Sequence, residues 1–155
     1  MLKNHISQNN PSLNRKFFGL TPKKEEVYSY TLTNKHGMEV TVINYGATIT
    51  ALKIPNSSGA KTDVVLGFDK LEDYIQSFDL PSAPYLGAIV GRFAGRIQNA
   101  SFELNGKKFQ LTQNHNTHQI HGGKNGFSQK IWTVNFEPTE ENQSITLEYC
   151  SPHLE

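Results

Sequence analysis

The sequence predicts an all-β, sandwich-like fold, and three observations carry that reading. From Tyr28 onward, short runs rich in Val, Ile, Thr, Phe and Tyr alternate with turn residues. The turns supply residues that tolerate positive φ, with Asn34 and Gly37, Asn44 and Gly46, and Asn56 and Gly59 marking three of them. Asn105-Gly106, between two such runs, is a strong two-residue hairpin signal.

The elements follow in order. Residues 1–24 mix Asn, Ser, Pro and Lys without periodicity and read as an N-terminal arm, although Phe17, Phe18 and Leu20 can lie across a sheet; residues 25–155 form the main domain. Strands are expected at 28–33, 39–43, 48–54 and 63–66. One helix interrupts them near residues 70–78. Asp69 and Glu72 have capping-box spacing, and Leu71, Tyr74, Ile75 and Phe78 follow at i, i+3, i+4 and i+7. Further strands are expected at 88–90, 97–104, 107–111, 130–136 and 144–149, with no internal repeat, heptad or low-complexity tract. Only six residues follow the last of these, up to Glu155, so no later strand pairs with it. An uncovered edge invites aggregation, and the expectation is a sandwich truncated at its C-terminus.

Composition narrows the class. Of 155 residues, 36% are apolar and nine are Phe, six Tyr and one Trp, enough to bury a core. Lys and Arg number 15 against 14 Asp and Glu, so the basic stripe needed to bind a nucleic acid is missing. The single cysteine, Cys150, has no internal disulfide partner and reads as a buried thiol. Apolar runs fall short of the roughly 18 residues of a membrane span. The start of the chain, Met1 to Pro11, is polar where a signal peptide is apolar, so a soluble, cytoplasmic protein is expected.

Two constellations can carry chemistry. Gln113 to Gly123 holds three of the six histidines, His115, His118 and His121, within seven positions. A metal site is one reading, but strand geometry sends His118 to the face opposite the other two, and no Cys or carboxylate completes a tetrahedral set. The alternatives are a ligand-binding loop, in which His121 donates to or accepts from a hydroxyl, and a polar loop whose histidines are solvated or cap backbone. Gly122 and Gly123 allow close backbone approach. The second constellation runs from Gly87 to Ile97 and sets Arg92 and Arg96 among glycines and apolar residues. An arginine there needs its donors satisfied, either by sugar hydroxyls or by a structural aspartate. The glycine spacing lacks the strand-turn-helix context of a dinucleotide fingerprint. Trp132, Phe127 and Tyr85 are candidates to stack on a sugar ring, with Phe127, after Gly126 in a loop, the foremost.

In order along residues 28–149, the chain carries Asn44-Tyr45-Gly46-Ala47-Thr48-Ile49, Leu66-Gly67-Phe68-Asp69, Val90-Gly91-Arg92-Phe93-Ala94-Gly95-Arg96-Ile97, Leu104-Asn105-Gly106-Lys107, His121-Gly122-Gly123, and Gly126-Phe127 with Trp132. This series resembles the N-terminal half of the aldose 1-epimerase (galactose mutarotase) family. The resemblance implies a large antiparallel β-sandwich that interconverts the α and β anomers of free hexoses such as galactose and glucose. One acid and one base suffice for that reaction, with no cofactor and no metal. It further implies that His121 and Arg96 hold the sugar, His121 being the candidate for a catalytic part, with Gly95 and Phe127 alongside. Many relatives carry Asn where this chain has Gly95, so one amide contact is absent or replaced.

The family's principal acid, a histidine, and its base, a glutamate, lie beyond the point matching Glu155. The chain alone is therefore expected to be a poor epimerase, its missing half lying outside the chain or coming from a partner. Two competing readings are a non-catalytic carbohydrate-binding domain and a phosphosugar enzyme, which would need extra basic residues around its cleft.

Overall fold

A computed structural model of the chain describes residues 14–138 and 143–153. The polar start, Met1 to Pro11, and Glu155 lie outside the described residues. Among the described residues the fold is all-β, with one α-helix. Five antiparallel strands make a sheet in sequential order: β1 (Asn14–Leu20), β2 (Glu26–Thr33), β3 (Glu39–Ile43), β4 (Thr48–Pro55) and β5 (Lys61–Asp63). The stretch read as an arm thus contributes an edge strand, with Phe17 opposite Tyr28 and a bulge between Phe17 and Gly19. The fifth strand begins earlier than expected and ends at Asp63, whose carboxylate accepts from the backbone N–H groups of Leu52 and Val65 and so turns the chain out of the sheet.

Helix α1 (Leu71–Ser77) lies over one face of this sheet. Its apolar spacing places Leu71 and Tyr74 with Val27, Ile43 and Tyr45 in the core, while Phe68, Ile75 and Phe78 pack against them. The helix meets the sheet at the β1 bulge, where a methyl group on Gly19 would sit 3.0 Å from Leu71 Cβ. The expected capping box is absent. Lys70 occupies the cap position and no side chain caps the helix, so packing of the apolar stripe, rather than a capped terminus, holds these two turns.

Residues 44–49 form a hub. Asn44 Oδ1 accepts from Tyr28 N at 2.8 Å, Trp132 N donates to Asn44 O at 2.8 Å, and Gly46 N donates to Lys130 O at 2.7 Å. On the other flank, Ile89 N donates to Gly46 O at 2.9 Å and Ile49 N to Gly87 O at 3.0 Å. Two loops are thereby stitched to the sheet. The run 88–90, expected as a strand, is spent on these hub contacts and forms no ladder.

The remaining strands pair in twos. β6 (Arg96–Ile97) pairs with β9 (Gln119–Ile120), and β7 (Ser101–Leu104) with β8 (Lys107–Gln110). The single strand expected over 97–104 is broken by a 3-10 turn at Gln98–Ala100, where Asn99 and Ala100 have φ of 53° and 47°. The 105–106 hairpin is as expected, with φ of 51° at Asn105 and 71° at Gly106, both positive as a type I′ turn demands. β10 (Thr133–Pro138) pairs with β11 (Gln143–Glu148), so the last strand finds its partner upstream. β10 starts late because Ile131 bridges to Tyr45 and Trp132 is held by Asn44. Beyond β11 the outward side of the alternation falls on Cys150, which is exposed rather than buried. No helix among the described residues is long and apolar enough to cross a membrane.

Burial of Tyr45, only 7% exposed, pushes its hydroxyl up from the ordinary 10.0 to about 12. The folded protein then holds a proton that the unfolded chain releases as pH rises past 10, so this contribution is intact below pH 10 and is lost on the way to 12. In denaturant titrations, Tyr45→Phe is expected to flatten the loss of stability across that window. An unchanged slope would contradict the assignment.

Candidate functional site

The two motif segments are brought together backbone to backbone. His121 N donates to Gly95 O at 3.0 Å, continuing the β6–β9 ladder by one pair. In a regular ladder the His121 carbonyl would accept from Gly95 N in return. His121 instead has φ of 51°, which rotates the carbonyl away, and its imidazole Nδ1 takes the N–H of Gly95 at 3.2 Å. An Nδ1 that accepts carries no proton, so the neutral ring bears its proton on Nε2 and is a hydrogen-bond donor there. Gly95, with φ of 98°, is therefore a structural partner of His121 through its own backbone.

Beneath the His-Gly-Gly loop passes Gly91. A Cβ on Gly122 would lie 1.7 Å from Gly91 O, and one on Gly126 would lie 2.8 Å from the same atom. Phe127 N donates to that carbonyl at 3.1 Å. Backbone contact this close is open only to glycine, and at Gly122 the φ of 87° requires it as well.

His121 opens onto a cleft of about 150 Å³ lined by Phe78, the segment 80–83, Tyr85, Asn114, His115 and Ile120. That volume is below the roughly 300 Å³ at which enclosing ligand sites begin, so the cleft grips one part of a small molecule. Tyr85 meets the His121 ring edge-on at 4.8 Å and Phe78 at 5.3 Å, and Phe78 leads back to Tyr45 at 6.5 Å, an aromatic chain from core to cleft. Burial raises the Tyr85 hydroxyl pKa, and the hydrogen bond from Asn114 Nδ2 partly opposes the rise. Because that bond makes the Tyr85 oxygen an acceptor, its own proton is left to point elsewhere.

The three histidines diverge. His115 and His121 line the cleft, whereas His118 Nδ1 accepts from Asn99 N at 3.0 Å. A tight turn through Asn116, closed by hydrogen bonds between His115 and His118, sets this arrangement in place of a strand. Among the described residues no group of His, Cys, Asp and Glu is arranged to hold a metal.

The arginines also separate. Arg92 Nε donates to Ser151 Oγ at 2.9 Å and its Nη2 to Pro152 O, so it ties the segment after β11 to the loop, and neither arginine pairs with an aspartate among the described residues. Arg96 is exposed on β6 and its guanidinium makes no hydrogen bond or ion pair with the described residues. It neighbours Gly95 in the chain but does not line the cleft. Phe127 does not line it either: the ring packs over Gly91 and against Trp132 at 6.0 Å and Tyr149 at 5.7 Å. Trp132 Nε1 donates to Phe127 O at 3.1 Å, closing a structural aromatic cluster. Of the three aromatic candidates, Tyr85 is the one that lines the cleft.

A family model described as aldose 1-epimerase matches residues 28–155. The chain belongs to the aldose 1-epimerase family. Galactose mutarotase from Bos taurus is 39% identical over 122 residues, which is 79% of this chain and 34% of that protein. Aldose 1-epimerase from Haemophilus influenzae is 41% identical over 104 residues, 67% of this chain and 28% of that protein. The crystal structure of galactose 1-epimerase from Lactobacillus acidophilus superposes with a TM-score of 0.70 at 28% identity, covering 91% of this chain and 40% of the other. The chain thus spans about a third of the length of the curated relatives it matches.

Within the family frame, several motif residues are architectural. Asn44 to Ile49 is the hub, and Gly67 leaves room for the Tyr74 hydroxyl, which accepts from Phe68 N at 3.0 Å. Asn114 and the wall at 80–83 had no signal of their own. A loop with prolines and an Asn in a polar run are common features, and only the fold brings them beside His121.

Proposed function

We propose that this chain supplies the sugar-gripping side of an aldose 1-epimerase site, which interconverts the α and β anomers of free hexoses such as galactose and glucose in the cytoplasm. The observation that carries this reading is the His121 ring, whose Nδ1 is occupied by Gly95 N–H and whose Nε2–H is thereby a fixed donor at the cleft. Family membership and the names of the relatives, galactose mutarotase and aldose 1-epimerase, support the choice of sugar and reaction.

Anomer exchange removes the proton from the anomeric hydroxyl, protonates the ring oxygen, opens the ring, rotates about C1–C2 and reverses these steps. A neutral imidazole that has a proton on Nε2 and accepts at Nδ1 is a poor acid, because losing that proton leaves an imidazolate. His121 therefore acts by donating to a sugar oxygen, which orients the ring. Arg96, on the neighbouring strand and outside this cleft, offers a guanidinium unspent among the described residues to the part of the sugar that extends beyond the cleft. Tyr85 offers an apolar ring face and a hydroxyl at the same cleft.

No carboxylate lines the cleft among the described residues, so the base is contributed from outside it. A segment or partner bearing an acid and a base would complete the reaction. Polarimetry with freshly dissolved α-D-galactose tests this: the 155-residue chain alone should leave the decay of rotation close to the uncatalysed rate. Robust acceleration would overturn the claim that acid and base lie elsewhere. The same lack of a carboxylate favours a second reading, a carbohydrate-binding domain without turnover. It is distinguished by a longer protein that carries the rest of the family fold and still leaves the rotation unchanged.

A further inference from the structure

We infer that Asn114 is the positioning residue for His121, holding the imidazole in its Nε2–H form by clamping the free edge of β9; the inference rests on the sugar-gripping role proposed for His121. The hydrogen bond from His121 N to Gly95 O fixes the phase of the β6–β9 ladder. In an antiparallel pair, hydrogen-bonded and non-hydrogen-bonded positions alternate, so the next pair, Arg96 opposite Ile120, turns the N–H and C=O of Ile120 away from β6. No strand lies on that side among the described residues. The Asn114 side chain takes its place: Ile120 N donates to Asn114 Oδ1 at 2.8 Å, and Asn114 Nδ2 donates to Ile120 O at 2.9 Å.

An amide is suited to both ends of one residue because it carries an acceptor and two donors within a short reach. Its second amide proton goes to the Tyr85 hydroxyl at 3.2 Å, and the Tyr85 ring meets His121 at 4.8 Å. Asn114 therefore acts on the imidazole along two routes: through the backbone of the preceding residue, which sets where His121 enters its left-handed turn, and through the ring stacked on its edge. An aspartate there would lose both donor contacts, and an aliphatic residue would leave both backbone groups of Ile120 unpaired.

The test begins with the unaltered chain. Hydrogen exchange should show the Ile120 amide protected although it faces away from β6, and exchange as fast as an open loop would overturn the clamp. Long-range 1H–15N spectra of the histidine side chains should show His121 with a protonated Nε2 and an unprotonated Nδ1. In Asn114→Ala the two nitrogen shifts should move towards an averaged, mixed-tautomer pattern, and titration with galactose should show roughly tenfold weaker binding. Tyr85→Phe, which removes one contact and keeps the Ile120 clamp, should give a smaller shift in the same direction.

A merely structural role predicts lowered stability with an unchanged His121 signature in the folded protein, and that result would overturn the proposal. Failure of the unaltered chain to bind galactose would count against the sugar-gripping role alone, because the exchange and imidazole readouts need no sugar.

Discussion

Replacing His121 by alanine is expected to weaken galactose binding by roughly 10- to 100-fold, which corresponds to about 1.4 to 2.7 kcal/mol. Two losses combine. The Nε2–H donor disappears from the cleft, and the N–H of Gly95, which had Nδ1 as its acceptor, is left unpaired beside the ligand. Alanine is also poorly suited to the φ of 51° at this position, so His121→Asn is the informative companion, since asparagine tolerates the left-handed region and keeps a short polar side chain. Calorimetric titration with galactose should show both variants weakened and the asparagine variant near wild-type stability. Undiminished binding in His121→Ala would remove this residue from the site.

The second large effect is on the fold beneath the site. Gly122→Ala should lower unfolding free energy by about 2–4 kcal/mol, the cost of one backbone position forced out of its allowed region plus a displaced neighbouring loop. The added Cβ would lie 1.7 Å from Gly91 O, an atom that also accepts from Phe127 N, so the loop must lift off the glycine-arginine segment. Urea denaturation followed by Trp132 fluorescence would report it, because Trp132 sits in the aromatic cluster with Phe127 and Tyr149. A change of a few tenths of a kcal/mol would mean that the backbone contact is looser than its geometry states. Gly106→Ala is the contrast: its φ is also positive, at 71°, but nothing lies within 4 Å, so only the conformational penalty applies.

These two positions differ in how visible they are in the sequence. His121 and Gly122 stand inside a motif that the family resemblance singles out. The helix is legible from spacing, since Leu71 and Tyr74 are on one face and both are buried, but its cap is not, because Asp69 stands one residue outside the helix start as folded. Arg92 and Arg96 have the same local surroundings in the sequence and opposite fates in space. One donates to Ser151 and Pro152, fifty-nine and sixty residues away, and the other makes no hydrogen bond or ion pair with the described residues. Phe127 follows a glycine in a loop, a good position for stacking on a sugar, yet the space above Gly91 draws its ring into an aromatic cluster. Tyr85, in a stretch of Pro, Ser and Ala, takes the cleft instead.

Strand rhythm, the Asn105-Gly106 hairpin, the single amphipathic helix and the family to which the chain belongs were all determined by the sequence itself. Each depends on local period, on turn chemistry or on motifs in order, and none needs a long-range contact. Only the tertiary structure decided which arginine is tied to the segment after β11, which of the candidate aromatics lines the cleft and which nitrogen of His121 accepts from Gly95. Those outcomes depend on pairings between segments about twenty-five to sixty residues apart, such as Gly95 with His121 and Arg92 with Ser151. Hydrogen-bond donors and ring faces are satisfied by whatever the fold brings near, and sequence proximity does not determine that.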